Sequence, residues 1–194
     1  MTTENIYVLE GQLRECYGRV VYSHKTHEKC ADILLKRQGY IKLAQIIISA
    51  VVTGGIVSTF FGTKETKEIG AAISAILSAG LLALNAYAKD YDLSEIAQKH
   101  RQAGSGLWII REKYLSLLTD IRVGDVALEL IRSRRDALVE ELHGVYAGAP
   151  STNYAAYRKA QEALKKLEDM TFSDEEIDKF LPKELKSTVN VGLN

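Results

Sequence analysis

His24, His27, Glu28 and Cys30 fall within two helical turns, and histidines three residues apart on a helix can share a metal ion. A metal needs further ligands, however, and the chain offers no matching pair elsewhere and no H-E-x-x-H arrangement. The spacing instead sets His27 and Cys30 on an apolar seam with His24 beside it, so the cluster reads as packed core with no metal. His100 holds a seam position of its own; pairing with these side chains across a bundle is one use of it, and a packed, hydrogen-bonded core histidine is the reading we prefer. No glycine-rich phosphate loop, no G-x-S-x-G and no persuasive carboxylate pair occurs, so neither an enzyme nor a catalytic residue is expected. Arg132, Arg134 and Arg135 are followed at once by Asp136, Glu140 and Glu141. Pairs four apart, such as Arg132 with Asp136, turn that cluster into a solvated face. With 25 Lys and Arg against 25 Asp and Glu, the net charge is zero, which argues against nonspecific nucleic-acid binding.

The elements around these residues are dominated by two apolar runs, 43–62 and 69–88, neither of which contains a charged side chain. A helix rises about 1.5 Å per residue, so each run spans roughly 30 Å, the hydrocarbon thickness of a bilayer. We read them as a transmembrane helical hairpin joined by the connector Thr63-Lys64-Glu65-Thr66-Lys67-Glu68. The competing account is a soluble helical oligomer that buries the hairpin, but no other strongly apolar helices are evident to cover both faces. The chain divides into an N-terminal amphipathic helix (1–42), the hairpin (43–88) and a C-terminal helical region (89–194).

The soluble parts are helical in period. Ile6, Leu9, Leu13, Cys16, Val20, Ser23, His27, Cys30 and Leu34 recur at spacings of three and four, and Leu93, Ile96, His100, Ala103, Leu107, Ile110, Tyr114, Leu117 and Ile121 resume the pattern after the hairpin. Leu128, Ile131, Leu138, Leu142 and Val145 continue it beyond Gly124 and Asp125, where both a break with an N-cap and a kink fit the sequence. Ala147-Gly148-Ala149-Pro150-Ser151 is a turn, and a helix over 154–169 folds back on the one before. Ser173-Asp174-Glu175-Glu176 is a capping box that opens a last helix, Pro182 ends it or opens the following turn, and 187–194 reads as a frayed tail. The fold class is all-α, long helices running from the membrane hairpin into a cytosolic bundle. Forty-two mostly polar residues precede the first run, so no cleaved signal peptide is expected. Two cysteines in such a chain read as reduced thiols. Basic residues outside the hairpin outnumber Lys64 and Lys67, and translocating the charged C-terminal region is costly, so both termini are expected in the cytoplasm.

Within the hairpin, Ala50, Gly54, Ser58 and Gly62 recur every four residues, as do Ala71, Ala75, Ala79 and Ala83. Small side chains permit close backbone approach in lipid, and the simplest use of both ladders is to pack the two spans together. Gln45, Thr53, Ser74, Ser78 and Asn85 either line a watery path between copies or make plain interhelical hydrogen bonds.

The stretch Glu15-Cys16-Tyr17-Gly18-Arg19-Val20-Val21-Tyr22-Ser23-His24-Lys25-Thr26-His27-Glu28-Lys29 resembles the SLATT family, two-transmembrane effectors associated with SMODS-type nucleotidyltransferases and SLOG sensors in bacterial defence. Leu93-Ser94-Glu95-Ile96-Ala97-Gln98-Lys99-His100-Arg101 and Ser173-Asp174-Glu175-Glu176-Ile177-Asp178-Lys179-Phe180-Leu181-Pro182-Lys183-Glu184-Leu185 look familial too. The resemblance implies an effector of the bacterial inner membrane that stays silent until infection. It then opens pores or disrupts the membrane, so that the cell arrests or dies, under control of a nucleotide second messenger from a partner synthase. Two arrangements satisfy it: the helical body binds a cyclic nucleotide itself, with Arg19, His24 and Lys25 as candidates, or a partner sensor relays the signal. The physical expectation is a homo-oligomer assembled through the cytosolic seams. The rival reading is a passive scaffold whose hairpin merely anchors a helical adaptor.

Overall fold

The computed structural model describes residues 2–124, 126–167, 169–182 and 186, with side chains from residue 6 onward. The expected N-cap at Asp125, the stretch 183–185 and the tail 187–194 lie outside these residues. Six helices are present among the described residues: α1 (Thr2–Phe61), α2 (Lys64–Asp90), α3 (Leu93–Val123), α4 (Leu128–Gly148), α5 (Tyr154–Lys166) and α6 (Asp174–Phe180).

The 60 residues of α1 contain no proline, and at about 1.5 Å each they make a rod of roughly 90 Å. The chain reverses at Gly62 and Thr63, and Thr63 caps α2 by accepting from the Thr66 amide. Most of the expected connector is therefore helical: Lys64 to Glu68 form the first turns of α2. α2 ends at Asp90, and Asp92 caps α3 by accepting from the Ser94 and Glu95 amides, which breaks the helix at the foot of the hairpin. The break does not change the pairing. Val52 with Ser74, Gln45 with Asn85, Gln38 with Ser94, His27 with His100 and Glu10 with Arg122 keep nearly one antiparallel register along α1.

The core lies at the end of α1 away from the hairpin. Leu9, Leu13 and Val20 pack there against Leu107, Ile110, Tyr114, Leu117 and Ile121 of α3 and against Ile131 and Leu138 of α4. Both seams read from the sequence are thus consumed within one chain, because each finds its apolar complement on the antiparallel neighbour. That corrects the expectation that the seams hold copies together. Gly124 settles the ambiguity after α3: at φ 83° it takes the left-handed conformation that favours glycine and stops the helix. α4 returns antiparallel, with Asp120 bonded to Arg134 and Lys113 to Glu141. Arg132 pairs with Glu129 and Arg135 with Asp136, so the cluster is neutralised, though not through the expected pair of Arg132 and Asp136. α5 ends at Lys166 and packs on α1 through Ala156, Ala160 and Ala163 instead of folding back on α4. Its small side chains allow a close approach to α1. The Ser173 and Glu176 capping box forms in both directions.

Candidate functional site

Two stretches, Ile6–Phe61 and Lys64–Val123, each hold an 18-residue window of mean hydropathy 1.9, long and apolar enough to cross a membrane. Nothing in 43–62 is buried, and in 69–88 only Ser74 is. Ile46, Phe60, Phe61, Ile76 and Leu82 are each more than 65% exposed. A continuous apolar surface of this kind is stable against lipid and unstable against water. At its foot stand Tyr40, Tyr87 and Tyr91. Lys36 lies over the Tyr40 ring, Arg37 donates to the Tyr87 hydroxyl at 3.0 Å, and Tyr87 stacks on Tyr91. Such an aromatic and basic girdle suits the headgroup boundary, and the sequence signal for it was Tyr40 and Tyr91 flanking the apolar runs with Tyr87 at the end of the second.

The two spans touch through a face one step away from the ladders. A Cβ on Gly55 would collide with Ser74 Oγ and stand 3.0 Å from the Gly70 carbonyl oxygen; one on Gly70 would collide with Ser58 Oγ and stand 3.0 Å from the Gly55 carbonyl. Ser74 Oγ donates across to the Val52 carbonyl at 3.2 Å. Ser58 and Gly62 of the first ladder sit near this contact, half-buried, while Ala50, Gly54, Ala71, Ala75, Ala79 and Ala83 are exposed. The expectation that the ladders pack the spans together is corrected for these six: the antiparallel register turns Gly55 and Gly70 to the contact and leaves the ladders outside. Of the polar residues, Gln45 donates to Asn85 at 2.8 Å across the hairpin and Thr53 Oγ1 donates to the Ser49 carbonyl at 2.9 Å within its own helix. Ser78 is exposed.

The body presents a cavity of about 660 Å³ between α1, α3 and residues 169–172. It is lined by cationic Lys25, Lys29, Arg101 and Arg111, by the carboxylates Glu28, Asp32 and Asp169, and by Trp108 and Phe172. His24 lines it too; Nε2 lies 3.5 Å from Glu28, while Nδ1 is buried without a hydrogen-bond partner among the described residues. Burial holds the His24 pKa below its ordinary value despite Glu28. The Lys25 ammonium lies 2.9 Å from Glu28 and 2.8 Å from Asp169. Burial works against its charge, but hydrogen bonds to Asp169 and Glu28 outweigh it and raise the pKa. The bond from Lys25 in turn holds Asp169 below the usual carboxylate range. Of the three candidates read from the sequence, the structure brings His24 and Lys25 into this cavity and leaves Arg19 out, exposed beside Glu15 and Cys16. Arg101, Trp108, Arg111 and Asp169 were missed, because only tertiary folding brings α3 and the segment after α5 against α1.

Behind the cavity, His27 and His100 share a hydrogen bond between their Nδ1 atoms at 2.9 Å, buried between α1 and α3. Burial, then His100 and His24, lower His27 to about 4, and burial lowers His100. Cys30 sits nearby, facing Asn153 at 3.9 Å. No group of three metal-ligating side chains occurs among the described residues.

An all-helical chain with a lipid-compatible hairpin on a charged helical body belongs to the class of two-span membrane domains. Residues 9–176 match the model of the SMODS and SLOG-associating 2TM effector domain family 4, and the chain belongs to this SLATT family. No curated protein and no solved structure matches it.

Proposed function

We propose that this chain is the membrane effector of a bacterial anti-phage system governed by a nucleotide second messenger, acting by pore formation or disruption of the inner membrane. The observation that carries the reading is the hairpin itself, with apolar side chains uncovered over its whole length on a body whose core is complete without it. An anchor needs only one such helix. A paired hairpin with small residues on its outer surface offers faces for further spans, and Ala50, Gly54, Ala71, Ala75, Ala79 and Ala83 are free to meet other copies there.

In this reading both termini are cytoplasmic and the effector is a homo-oligomer joined through the hairpins. Thr53 and Ser78, the two of the five candidate polar residues not tied across the hairpin, face the neighbouring copies. A messenger controls the assembly only by binding its sealed and open forms unequally, either directly in the helical body or through a partner synthase or sensor.

The test is expression in bacteria with a voltage-sensitive dye, alone and beside a nucleotide synthase, with alkaline washing to verify insertion. Depolarisation that depends on the synthase in either direction supports the reading. Insertion with a potential that never changes makes the hairpin an anchor for a scaffold, and release by the alkaline wash makes the protein a soluble assembly.

A further inference from the structure

Lys25 is the most informative charge outside the hairpin. Its side chain is only 9% exposed, and a buried ammonium requires anions beside it. One of its two partners, Glu28, is fixed by the helix they share. The other, Asp169, is brought from far along the chain by a short segment with an awkward backbone: Met170 has φ 88°, a region costly for a bulky side chain. Besides the Lys25 ion pair, Arg111 contacts Met170 Sδ at 3.6 Å and the Asp169 amide donates to the Ala163 carbonyl at 3.1 Å. Asp169 itself is 43% exposed. A removable carboxylate thus occupies a built cation site.

The rest of the cavity suits a larger occupant than one carboxylate. Lys29, Arg101 and Arg111 add three cations; Arg111 is paired with Glu112 and Arg101 lies 3.7 Å from Asp32, so withdrawal of Asp169 leaves three carboxylates, Glu28, Asp32 and Glu112, against four cations including Lys25. His24 lines the cavity too, with its Nδ1 buried and without a hydrogen-bond partner among the described residues. Trp108 and Phe172 offer exposed ring faces at the rim, and aromatic faces stack on planar heterocycles. The volume of about 660 Å³ falls in the usual range for small-molecule sites. The nearest lining residue on α1, Asp32, stands 11 residues before Leu43, roughly 16 Å from the hydrocarbon boundary, which favours a free ligand over a lipid headgroup.

We propose that this cavity binds an organic phosphate bearing a planar ring, and that Asp169 holds the place of a phosphate until the ligand displaces residues 169–172 from Lys25. The proposal deepens the reading above by naming a receptor site within the body; it rests on that reading for its effect on the membrane, but not for binding.

Trp108 is the only tryptophan in the chain, so its fluorescence reports on the cavity directly. The full chain, in nanodiscs of neutral lipid, is titrated with ATP as the probe, with adenosine and pyrophosphate as the two halves. A saturable change with ATP, weaker with either half, is the expected result. Arg111→Gln weakens ATP about tenfold, the loss of one charge-assisted hydrogen bond, with helicity unchanged. Asp169→Asn tightens ATP about threefold by removing the competing charge. No saturable change with any probe at millimolar concentration overturns the site, as does an affinity indifferent to Arg111→Gln. A site that responds to Arg111→Gln but is weakened by Asp169→Asn overturns the displacement. Loss of the ATP response when anionic lipid replaces the neutral lipid assigns the site to headgroups and also overturns it. Synthase-dependent depolarisation with a silent Trp108 removes this site and keeps the effector; binding without depolarisation does the reverse.

Discussion

The Gln45 side-chain amide donates to the Asn85 side-chain oxygen at 2.8 Å, tying α1 to α2 near the foot of the hairpin. Each amide is the other's partner, which decides what a substitution does. Gln45→Leu or Asn85→Leu alone strands one amide in an apolar setting, whereas the double variant removes both. Interhelical hydrogen bonds in membranes couple by about 0.6 kcal/mol on average. Each single variant is therefore expected to loosen the hairpin by about 1 kcal/mol in SDS-driven unfolding from mixed micelles, and the double variant by less than the sum. Strict additivity would mean that the two side chains act independently, as they would on the wall of a pore.

Gly55 and its neighbour Gly54 separate the two uses of small residues. A side chain on Gly55 meets Ser74 and the Gly70 backbone, while one on Gly54 meets nothing within 4 Å. Gly55→Val is expected to prise the spans apart at a cost of about 1–3 kcal/mol, and Gly54→Val to leave the hairpin intact. Cysteines placed at Val52 and Ser74 read the first effect as slower disulfide formation, and cross-linking between copies reads the second. If Gly54→Val alters neither cross-linking nor depolarisation, the outer ladder has no part in assembly.

The same comparison explains how much was legible in advance. Periodicity places apolar side chains on a face, so the seams 6–34 and 93–121 and the capping box at Ser173 were readable as they stand. The ladders were readable as stripes but not as contacts, since the contact depends on the register set by the turn at Gly62 and Thr63, one residue of which separates Gly54 from Gly55. Gly124 did not distinguish kink from break, because only φ does. For the cavity, His24 and Lys25 lie in the stretch that carried the resemblance, whereas Arg101, Trp108 and Arg111 sit across a helix interface and Asp169 on an irregular segment with no period to betray it.

Acid should weaken the junction of α1 and α3. Two neutral imidazoles in opposite tautomers satisfy the bond between His27 and His100, and His24 is the other titratable group acting on His27. Because the folded protein lowers His27 to about 4, the unfolded chain takes up the proton first as pH falls. Stability is full above about 6.5 and declines toward 4, by roughly 3 kcal/mol for His27 at most, with His100 acting in the same direction. Thermal unfolding at pH 7.5 and 5 tests this, with His27→Gln flattening the profile. A profile that stays equally steep in His27→Gln would assign the acid sensitivity to His100, His24 and Asp169, each of which the fold also holds below its ordinary value.

Tyr114 makes the sharpest prediction in the core. Its ring is fully buried between α1 and α4, its hydroxyl has no hydrogen-bond partner among the described residues, and burial pushes its pKa up to about 12. An unsatisfied buried hydroxyl costs about 1–3 kcal/mol, so Tyr114→Phe should stabilise the chain by about 1 kcal/mol with no cavity left behind. After burial, the half-buried Cys16 thiol contributes most to the Tyr114 shift, and it supplies the alternative. Were the hydroxyl bonded to that sulfur, Tyr114→Phe would destabilise instead, Cys16→Ala would cost a similar amount, and the double variant would cost no more than either. Thermal unfolding of these three variants separates the cases, since only an orphaned hydroxyl yields a gain.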